Sequence, residues 1–248
     1  MRKYAVTGPI ILFALWFTVS LSGIVSSFFL PDPISTMRIL TGLIAGGIII
    51  PDTFATLGRV AIAFLVSLII GLPAGLVLGS SSKIYESLEF VIDFFRSIPA
   101  TAMFPLFLLL FGINDNSKIA VAAFASVLIV IFNTAYGVRH SKKSRAFAAK
   151  LMGASRIQIF RMVYFWESLP QTFVGIRTAV SLSLVIIIVT EMFIGTTTGL
   201  GRLIIDFQYT YNIPAMYAII LLTGAIGYLI NLIFILAERK FVHWTGKF

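Results

Sequence analysis

Five ionisable side chains interrupt stretches of the sequence that are otherwise apolar. They are Arg59, Asp93, Arg96, Arg177 and Glu191. A charged group in an apolar, membrane-length segment is costly, so each is a candidate for a solute pathway or a gate. Asp93 and Arg96 lie three positions apart, a spacing that favours a local ion pair. Arg59 lies close enough to the predicted outer surface for its guanidinium to reach water there.

Arg177 and Glu191 fall in one predicted helix, on a similar face. Their separation of 14 positions corresponds to about four turns, or about 21 Å, so the two cannot pair directly. Either each meets a partner on another helix, or the two flank a path. We favour a structural role for Arg177 and a gate or pathway role for Glu191, which precedes a glycine-rich segment. Asn133, the one amide deep in its apolar run, is predicted to join two helices or to line the pathway.

The chain lacks the motifs that would make it an enzyme. It contains no Gly-x-x-x-x-Gly-Lys-Ser/Thr loop for ATP and no His-Glu-x-x-His or Gly-x-Ser-x-Gly pattern. It has no cysteine, which excludes disulfides and thiolate metal sites. His140 and His243 lie beside basic residues and are interpreted as solvated. We therefore expect a non-catalytic chain that binds neither a metal nor a cofactor.

Composition places the chain in a membrane. Hydrophobic residues make up 58% and charged residues 12%, about half the charged fraction of globular proteins. Several apolar runs exceed the roughly 18 residues that span a bilayer as a helix. The net charge of +9 is therefore interpreted as the excess of Lys and Arg in cytoplasmic loops, and no nucleic-acid partner is expected. The apolar run from Gly8 to Leu30 is too long for a signal peptide, so a retained first helix is predicted.

The apolar runs and their breakers predict an all-α protein with about six transmembrane helices in a single domain over residues 1–248. Between the first two spans, 34–50 is bracketed by Pro33 and Pro51. It is predicted to be an interfacial helix capped by Ser35 and Thr36, although 17 residues could just span. The predicted spans are 8–28, 54–79, 88–111, 117–138, 171–195 and 215–237.

The distribution of basic residues predicts the orientation. With the N-terminus inside, 13 Lys and Arg fall in cytoplasmic segments and three fall outside. This asymmetry predicts that both termini, and the polar loop at 139–170, are cytoplasmic.

The loop at 139–170 is the one long polar stretch and holds seven of the 19 basic residues. Helix formers from Ser144 to Met152 precede Gly153, which is suited to a left-handed helix end. Ser155 and Gln158 have the spacing of a capping box that starts a second helix. The loop is thus predicted to form two short helices around a sharp turn. It is either a docking knob or an amphipathic segment on the inner leaflet.

Small residues recur at helical spacing in two spans. Gly71, Gly75 and Gly79 form one pattern, and Gly224 with Gly227 forms another. Such patterns let helices approach closely. The first is predicted to be a seam for internal packing or for a dimer.

The loop pattern Ala148-Ala149-x-x-x-Gly153 with Leu169-Pro170 resembles the "EAA" loop of ABC importer permeases. Other matches run along nearly the whole chain and resemble the nitrate/sulfonate/taurine branch. They comprise Leu30-Pro31-Asp32-Pro33, Arg96-Ser97-Ile98-Pro99 with Pro105, Phe111-Gly112-Ile113, Glu191-Met192-x-x-Gly195 and Gly199-Leu200-Gly201.

The resemblance implies a type I importer fold, in which the loop docks into a separate ATPase subunit. The docking residues it implies are Ala148, Ala149, Gly153, Ala154, Ser155, Leu169 and Pro170. It also implies a permease homodimer in the bacterial inner membrane, two ATPase subunits that use ATP and Mg, and an extracytoplasmic substrate-binding protein. Candidates for the pathway or gate are Glu191, Arg177, Asn133 and Arg59.

Two positions depart from the family pattern. Phe147 stands where the family usually has Glu, and Trp166 stands where a Pro is common. The first departure leaves open which residues clasp the ATPase. The three Arg against two acids in the spans, together with the resemblance, favour a small anion such as nitrate, taurine or another sulfonate as the solute. An ATP-independent secondary transporter or channel is the alternative.

Overall fold

The computed structural model describes residues 7–193 and 196–242, which are mainly helical and contain no strand. This confirms the predicted all-α class. Eleven α-helices, with a 3₁₀ turn at Ala100–Met103 and a π-helical turn at Phe160–Tyr164, make up the described part of the chain. They are α1 (Thr7–Leu21), α2 (Pro33–Ala45), α3 (Ile50–Ser80), α4 (Ser82–Ser97), α5 (Phe104–Phe111), α6 (Asp115–Arg139), α7 (Lys143–Leu151), α8 (Arg156–Ile159), α9 (Phe165–Phe193), α10 (Leu200–Tyr209) and α11 (Ile213–Phe241).

Backbone contacts divide the chain into two compact units. Among the described residues, the first unit takes 7–56 together with 191–193 and 196–226, and the second takes 57–190 and 227–242. Each unit therefore combines segments that are distant in sequence. The prediction of a single transmembrane domain stays a prediction.

Four helical stretches among the described residues are long and apolar enough to cross a membrane. They are α3, α6, the continuous run Arg156–Phe193 and α11, and the pair α4 and α5 would make a fifth if its bend of 87° lies within one span. Six spans were predicted; with α4 and α5 counted as one span, the difference lies at the N-terminal end. There α1 has 15 residues and ends before Gly23, whose φ of +70° turns the chain.

The predicted span at 88–111 is broken in its middle. α4 ends at Ser97, and Ile98 is extended, as the residue before a proline prefers. Pro99 lacks an N–H and cannot continue the helix. The polypeptide resumes through the 3₁₀ turn and α5, which has Pro105 in its first turn.

The short helix α2 confirms a helix within 34–50, but its cap differs from the prediction. Asp32, rather than Ser35 or Thr36, is the N-cap, and its carboxylate accepts hydrogen bonds from the amides of Ile34 and Ser35, both at 2.8 Å. Hydrogen bonds from Ser35 and from the Ile34 amide lower the pKa of Asp32 below its usual value. Pro33 follows at the first helical position, where a missing N–H has no cost.

The glycine seam of α3 packs against α6 inside the chain. A Cβ added at Gly71, Gly75 or Gly79 would lie 2.7, 2.7 or 2.6 Å from the Cβ of the facing residue, which is Val130, Thr134 or Val138 respectively. The facing residues recur every four positions, as ridges of two close helices do. The seam is therefore an internal packing surface, one of its two predicted uses.

A second close contact joins α6 to α9. A Cβ at Gly175 would lie 2.5 Å from the Cβ of Asn133. The side-chain amide of Gln171 donates a hydrogen bond of 2.9 Å to Asn133 Oδ1. Further along the same two helices, the hydroxyls of Ser126 and Ser183 lie 2.7 Å apart. This confirms that Asn133 joins two helices. α6 thus packs against α3 and against α9.

Candidate functional site

The polar loop folds as two short helices around a glycine turn, as predicted. α7 ends at Leu151, and Gly153 has φ +84°, a conformation that side chains other than Gly's disfavour. The Ser155 amide donates to Gln158 Oε1 at 2.7 Å, and the Gln158 amide donates to Ser155 Oγ at 3.3 Å. The predicted capping box at the start of α8 is therefore present. The π-helical turn then leads into α9.

Glu167 anchors the start of this loop, a role that the sequence did not reveal. Its carboxylate accepts hydrogen bonds from the amide of Lys142, the N-cap of α7, and from Arg145 Nη1 at 2.8 Å. Lys142 makes no side-chain cap, so a residue 25 positions away supplies the missing acceptor. The loop is thereby tied to the first turn of α9. A lone Glu in an apolar helix start was the only available signal.

Replacing Glu167 with Gln is expected to loosen α7. An N-cap bond contributes about 0.5–2 kcal/mol, and an ion pair whose arginine is exposed adds about 0–1 kcal/mol. Amide hydrogen exchange over 142–152 should therefore quicken by about tenfold, which corresponds to about 1.4 kcal/mol. Glu238→Gln, which alters a pair outside the loop, should leave this exchange unchanged. Equal protection of the loop in wild type and Glu167→Gln would contradict the anchor.

Large apolar side chains project from the loop. Phe147 is 64% exposed and Met152 is 87% exposed. Further exposed side chains on the loop and the first turn of α9 are Leu151, Ile157, Met162 and Trp166. Large apolar surfaces that remain exposed mark interaction sites. Phe147, which stands where the family usually has Glu, is therefore part of this exposed apolar surface.

The predicted docking residues lie in two places. Ala148, Gly153 and Ser155 are exposed, and Ala149 and Ala154 are half-buried around the turn. Leu169 and Pro170 are half-buried in the second turn of α9, at the C-terminal end of the loop. The structure thus groups the first five and separates the last two.

Glu191 lies in a buried cluster at the far end of α9 from the loop. Its side chain is 1% exposed, and it accepts hydrogen bonds from Thr56 Oγ1 at 2.9 Å and from the Gly201 amide at 3.0 Å. The Leu200 amide donates to Thr56 Oγ1 at 2.9 Å. These amides belong to the first turn of α10, whose orphan N–H groups and dipole favour a nearby anion.

Gly199 completes this cluster. Its amide donates to Asp52 Oδ1 at 2.6 Å, and its φ is +140°. A Cβ at Gly199 would lie 2.5 Å from Glu191 Cδ. Side chains on α3 and α9 therefore cap α10, which has no cap of its own. Of this cluster the sequence had indicated only Glu191 and its glycine-rich neighbours; Gly195 lies outside the described residues.

The arginines in the spans have acidic partners. Arg59 Nε lies 2.9 Å from Asp115 Oδ1, and Lys118 Nζ lies 2.9 Å from the same oxygen. The Arg59 side chain is 6% exposed, so the prediction that it extends to the surface was wrong: the carboxylate at the start of α6 holds it instead. Arg177 Nη1 lies 3.6 Å from Glu238 Oε2, which agrees with a structural role.

The predicted pair Asp93–Arg96 is confirmed at 3.0 Å. The Arg96 guanidinium also lies over the Phe132 ring, 3.8 Å from its centroid. His140 is exposed and stacks on Tyr136, with a centroid distance of 3.8 Å. His243 lies outside the described residues, within which no group of three potential metal ligands occurs.

Comparison with known proteins identifies the family. Residues 67–245 match the binding-protein-dependent transport system inner membrane component family. The chain belongs to this family. Its members are transmembrane permease components of ABC transporters, whose ATPase is a separate subunit. This confirms the family resemblance found in the loop and its flanking motifs, and makes the chain a multi-pass protein of the inner membrane.

Relatives align along most of the chain. The taurine transport system permease protein TauC of Escherichia coli (strain K12) is 28% identical and aligns over 96% of this chain and 88% of its own length. The bicarbonate transport system permease protein CmpB of Synechococcus elongatus (strain ATCC 33912 / PCC 7942 / FACHB-805) is 30% identical over 79% of this chain and 68% of its own.

A solved structure shares the fold. A chain of the MetNI methionine ABC transporter in an inward-facing conformation superposes with a TM-score of 0.68, at 21% identity, over 77% of this chain and 95% of that one. The type I importer permease fold predicted from the sequence is thus confirmed.

Proposed function

We propose that the chain is the permease subunit of an ATP-driven importer that takes a small anion from an extracytoplasmic binding protein into the cytoplasm. The observation that carries the proposal is the anchored polar loop between two membrane-length helices. In this scheme two permease chains form the pathway and each loop receives one ATPase subunit. Both termini and the loop are cytoplasmic, on the side where ATP is available. The family match argues against the ATP-independent alternative.

The exposed side chains of the loop indicate what kind of ATPase groove it would enter. Phe147 and Met152 offer apolar contacts at its tip. Seven basic residues lie between Arg139 and Pro170, and the loop's one acid, Glu167, is engaged by Arg145 and Lys142. The complementary ATPase surface is therefore an apolar groove with an acidic rim. Phe147, in place of the usual Glu, then contributes buried area rather than a charge pair.

The loop is rigidly joined to the transmembrane helices at both ends. α6 leads directly into it, and the Glu167 anchor ties α7 to the start of α9. A rigid-body shift of an ATPase that holds the loop would thus move α6 and α9. Because α6 also packs on α3 through the glycine seam, the displacement extends to a third helix of the same unit.

The proposed anion rests on the relatives rather than on charges in the spans. TauC and CmpB are named for taurine and bicarbonate transport. Taurine contains a sulfonate group, and bicarbonate is an oxoanion that resembles a carboxylate. Arg59 and Arg177 are paired with acidic residues, so counting arginines in the spans no longer supports an anion. Uptake assays should therefore compare taurine, short alkanesulfonates, nitrate and bicarbonate in competition.

Gly153→Val is expected to uncouple transport without preventing membrane insertion. Valine at φ +84° is strained by roughly 1–3 kcal/mol, so the turn between α7 and α8 must change. We expect uptake to fall at least about tenfold, while the amount of chain in the membrane stays near wild type. The measurement is uptake into cells, with the membrane fraction quantified by immunoblot.

Asn is the matched control at the same position. Gly153→Asn should retain most uptake, because Asn tolerates the left-handed conformation. An added Cβ meets nothing within 4 Å there, so steric clashes do not confuse the comparison. Unchanged uptake in Gly153→Val would contradict the docking role of the turn.

Glu191 is proposed to act at the gate by holding α10 in place, with its charge as the holding group. Glu191→Gln keeps acceptor oxygen near Thr56 and Gly201 but removes the anion from the end of α10. Uptake should fall about three- to tenfold, an effect of up to about 1.4 kcal/mol on the transport barrier. A variant with wild-type uptake at all solute concentrations would show that the charge has no part in gating.

A further inference from the structure

A polar cavity lies at the base of the loop and has no role in the function proposed above. Its volume is about 210 Å³, several times the roughly 30 Å³ that one water occupies in the liquid. The side chains that can donate to a ligand there come from four elements of one compact unit. They are Arg139, Lys143, Ser82 and Tyr164.

Arg139 is the central group of this cavity. Its guanidinium stacks on the Tyr85 ring at 3.8 Å, which fixes its plane but uses none of its in-plane N–H donors. Nη1 is buried, and among the described residues no acceptor forms a hydrogen bond with it. A buried donor without an acceptor is costly, so an acceptor brought to this atom would be stabilised.

The charged side chains that line the cavity have one sign. Lys143 lines the cavity with Arg139, and none of the described residues that line it is acidic. Ser82 is the first residue of α4, whose N-terminal amides and dipole also favour an anion. The hydroxyls of Ser80 and Ser141 donate to the carbonyls of Val77 and Val138, so their protons are already used and are not offered to a ligand.

We propose that this cavity binds an oxoanion of the phosphate or sulfonate class. A guanidinium forms paired, charge-assisted hydrogen bonds with two oxygens of such a group, and a nearby ammonium adds a point charge. The bound group bridges the end of α6, the start of α4, α7 and the π-helical turn. Its occupancy therefore stiffens the base of the loop that is proposed to contact the ATPase.

Two sources offer this chemistry. One is a free anion, and the other is the headgroup of an anionic lipid. A larger cavity of about 480 Å³, lined by Ile157, Ile159 and Phe160 among others, adjoins the first through the shared residues Ser80 and Tyr164. Its apolar walls could hold part of an acyl chain.

The test is a calorimetric titration of inorganic sulfate into the purified full-length chain in neutral detergent. A titration of sodium chloride at equal ionic strength is the blank. Saturable binding of one sulfate per chain is expected. Lys143→Gln and Tyr164→Phe should each weaken it about three- to tenfold, and Arg139→Gln should abolish it. Lys150→Gln is the matched control: it removes a lysine from the same helix that does not line the cavity, and it should leave the affinity unchanged.

A second arm uses lipid nanodiscs. One outcome is that sulfate binds more weakly in phosphatidylglycerol discs than in phosphatidylcholine discs, and that Lys143→Gln removes this difference. That outcome would support the proposal with a lipid headgroup as the occupant. Equal affinity in both discs, still sensitive to Lys143→Gln, would support it with a free anion. Absence of saturable binding, or equal weakening by Lys143→Gln and Lys150→Gln, would overturn it. Since the sulfate titration involves neither an ATPase nor transport, the outcome of this test is independent of the proposed function.

Discussion

Alanine in place of Gly199 is expected to disrupt the cluster that holds α10 and to reduce uptake at least about tenfold. A side chain at φ +140° is strained by roughly 1–3 kcal/mol. Its Cβ would lie 2.5 Å from Glu191 Cδ, so the buried carboxylate would have to leave its hydrogen bonds to Thr56 and Gly201. An unsatisfied buried group adds about 1–3 kcal/mol. Thermal unfolding in detergent measures the loss of stability. Uptake in proteoliposomes or cells measures the loss of transport.

Gly42→Ala is the control for this change. It lies in the same compact unit, on helix α2, where an added Cβ meets nothing within 4 Å. This variant should unfold within a few degrees of wild type and should keep its uptake. If Gly199→Ala behaved in the same way, the cluster around Glu191 would not be a structural determinant of this end of the chain.

Gly75→Ala is expected to destabilise the second unit by about 2–3 kcal/mol, through overpacking of the seam between α3 and α6. The added Cβ would lie 2.7 Å from Thr134 Cβ and 2.8 Å from the Ile131 carbonyl oxygen. Because a rigid backbone atom is involved, the helices must separate rather than a side chain rotate. The unfolding temperature in detergent should fall clearly, and the loop that follows α6 should exchange its amides faster.

The same helix supplies the control. Gly58→Ala adds an identical methyl group to α3 at a point where nothing lies within 4 Å. It should be neutral or slightly stabilising, since alanine favours helices over glycine by about 1 kcal/mol. Equal unfolding temperatures for Gly75→Ala and Gly58→Ala would show that the seam is looser than its geometry indicates.

The fold class and the loop were predictable because they depend on local rules. Apolar run length predicts spans, and Gly153 with the Ser155–Gln158 spacing predicts the turn and second helix of the loop. The break between α4 and α5 coincides with Pro99, although 88–111 was predicted as one span. A proline shows where a helix can break and leaves the angle of the break open.

The contacts that position the site were not predictable, because they join distant positions. Glu167 accepts a hydrogen bond from the N-cap residue of α7, 25 positions before it, and Thr56 meets Glu191 across 135 positions. Asp115 was assigned to no role, although it holds Arg59. A single sequence gives residue types and periodicity, and long-range pairing of this kind requires the packed structure.

Because the chain has no cysteine, docking of the loop on an ATPase can be tested with a single introduced thiol. Ala148→Cys places a unique thiol on the exposed face of the loop, and Tyr209→Cys places one on an exposed position at the end of α10. Each tagged variant would be treated with a bifunctional thiol–amine cross-linker in native membranes and purified in mild detergent. We expect an ABC ATPase at one copy per permease chain, cross-linked from position 148 but not from position 209. A chain that purifies without any ATPase, even after cross-linking from position 148, would contradict it.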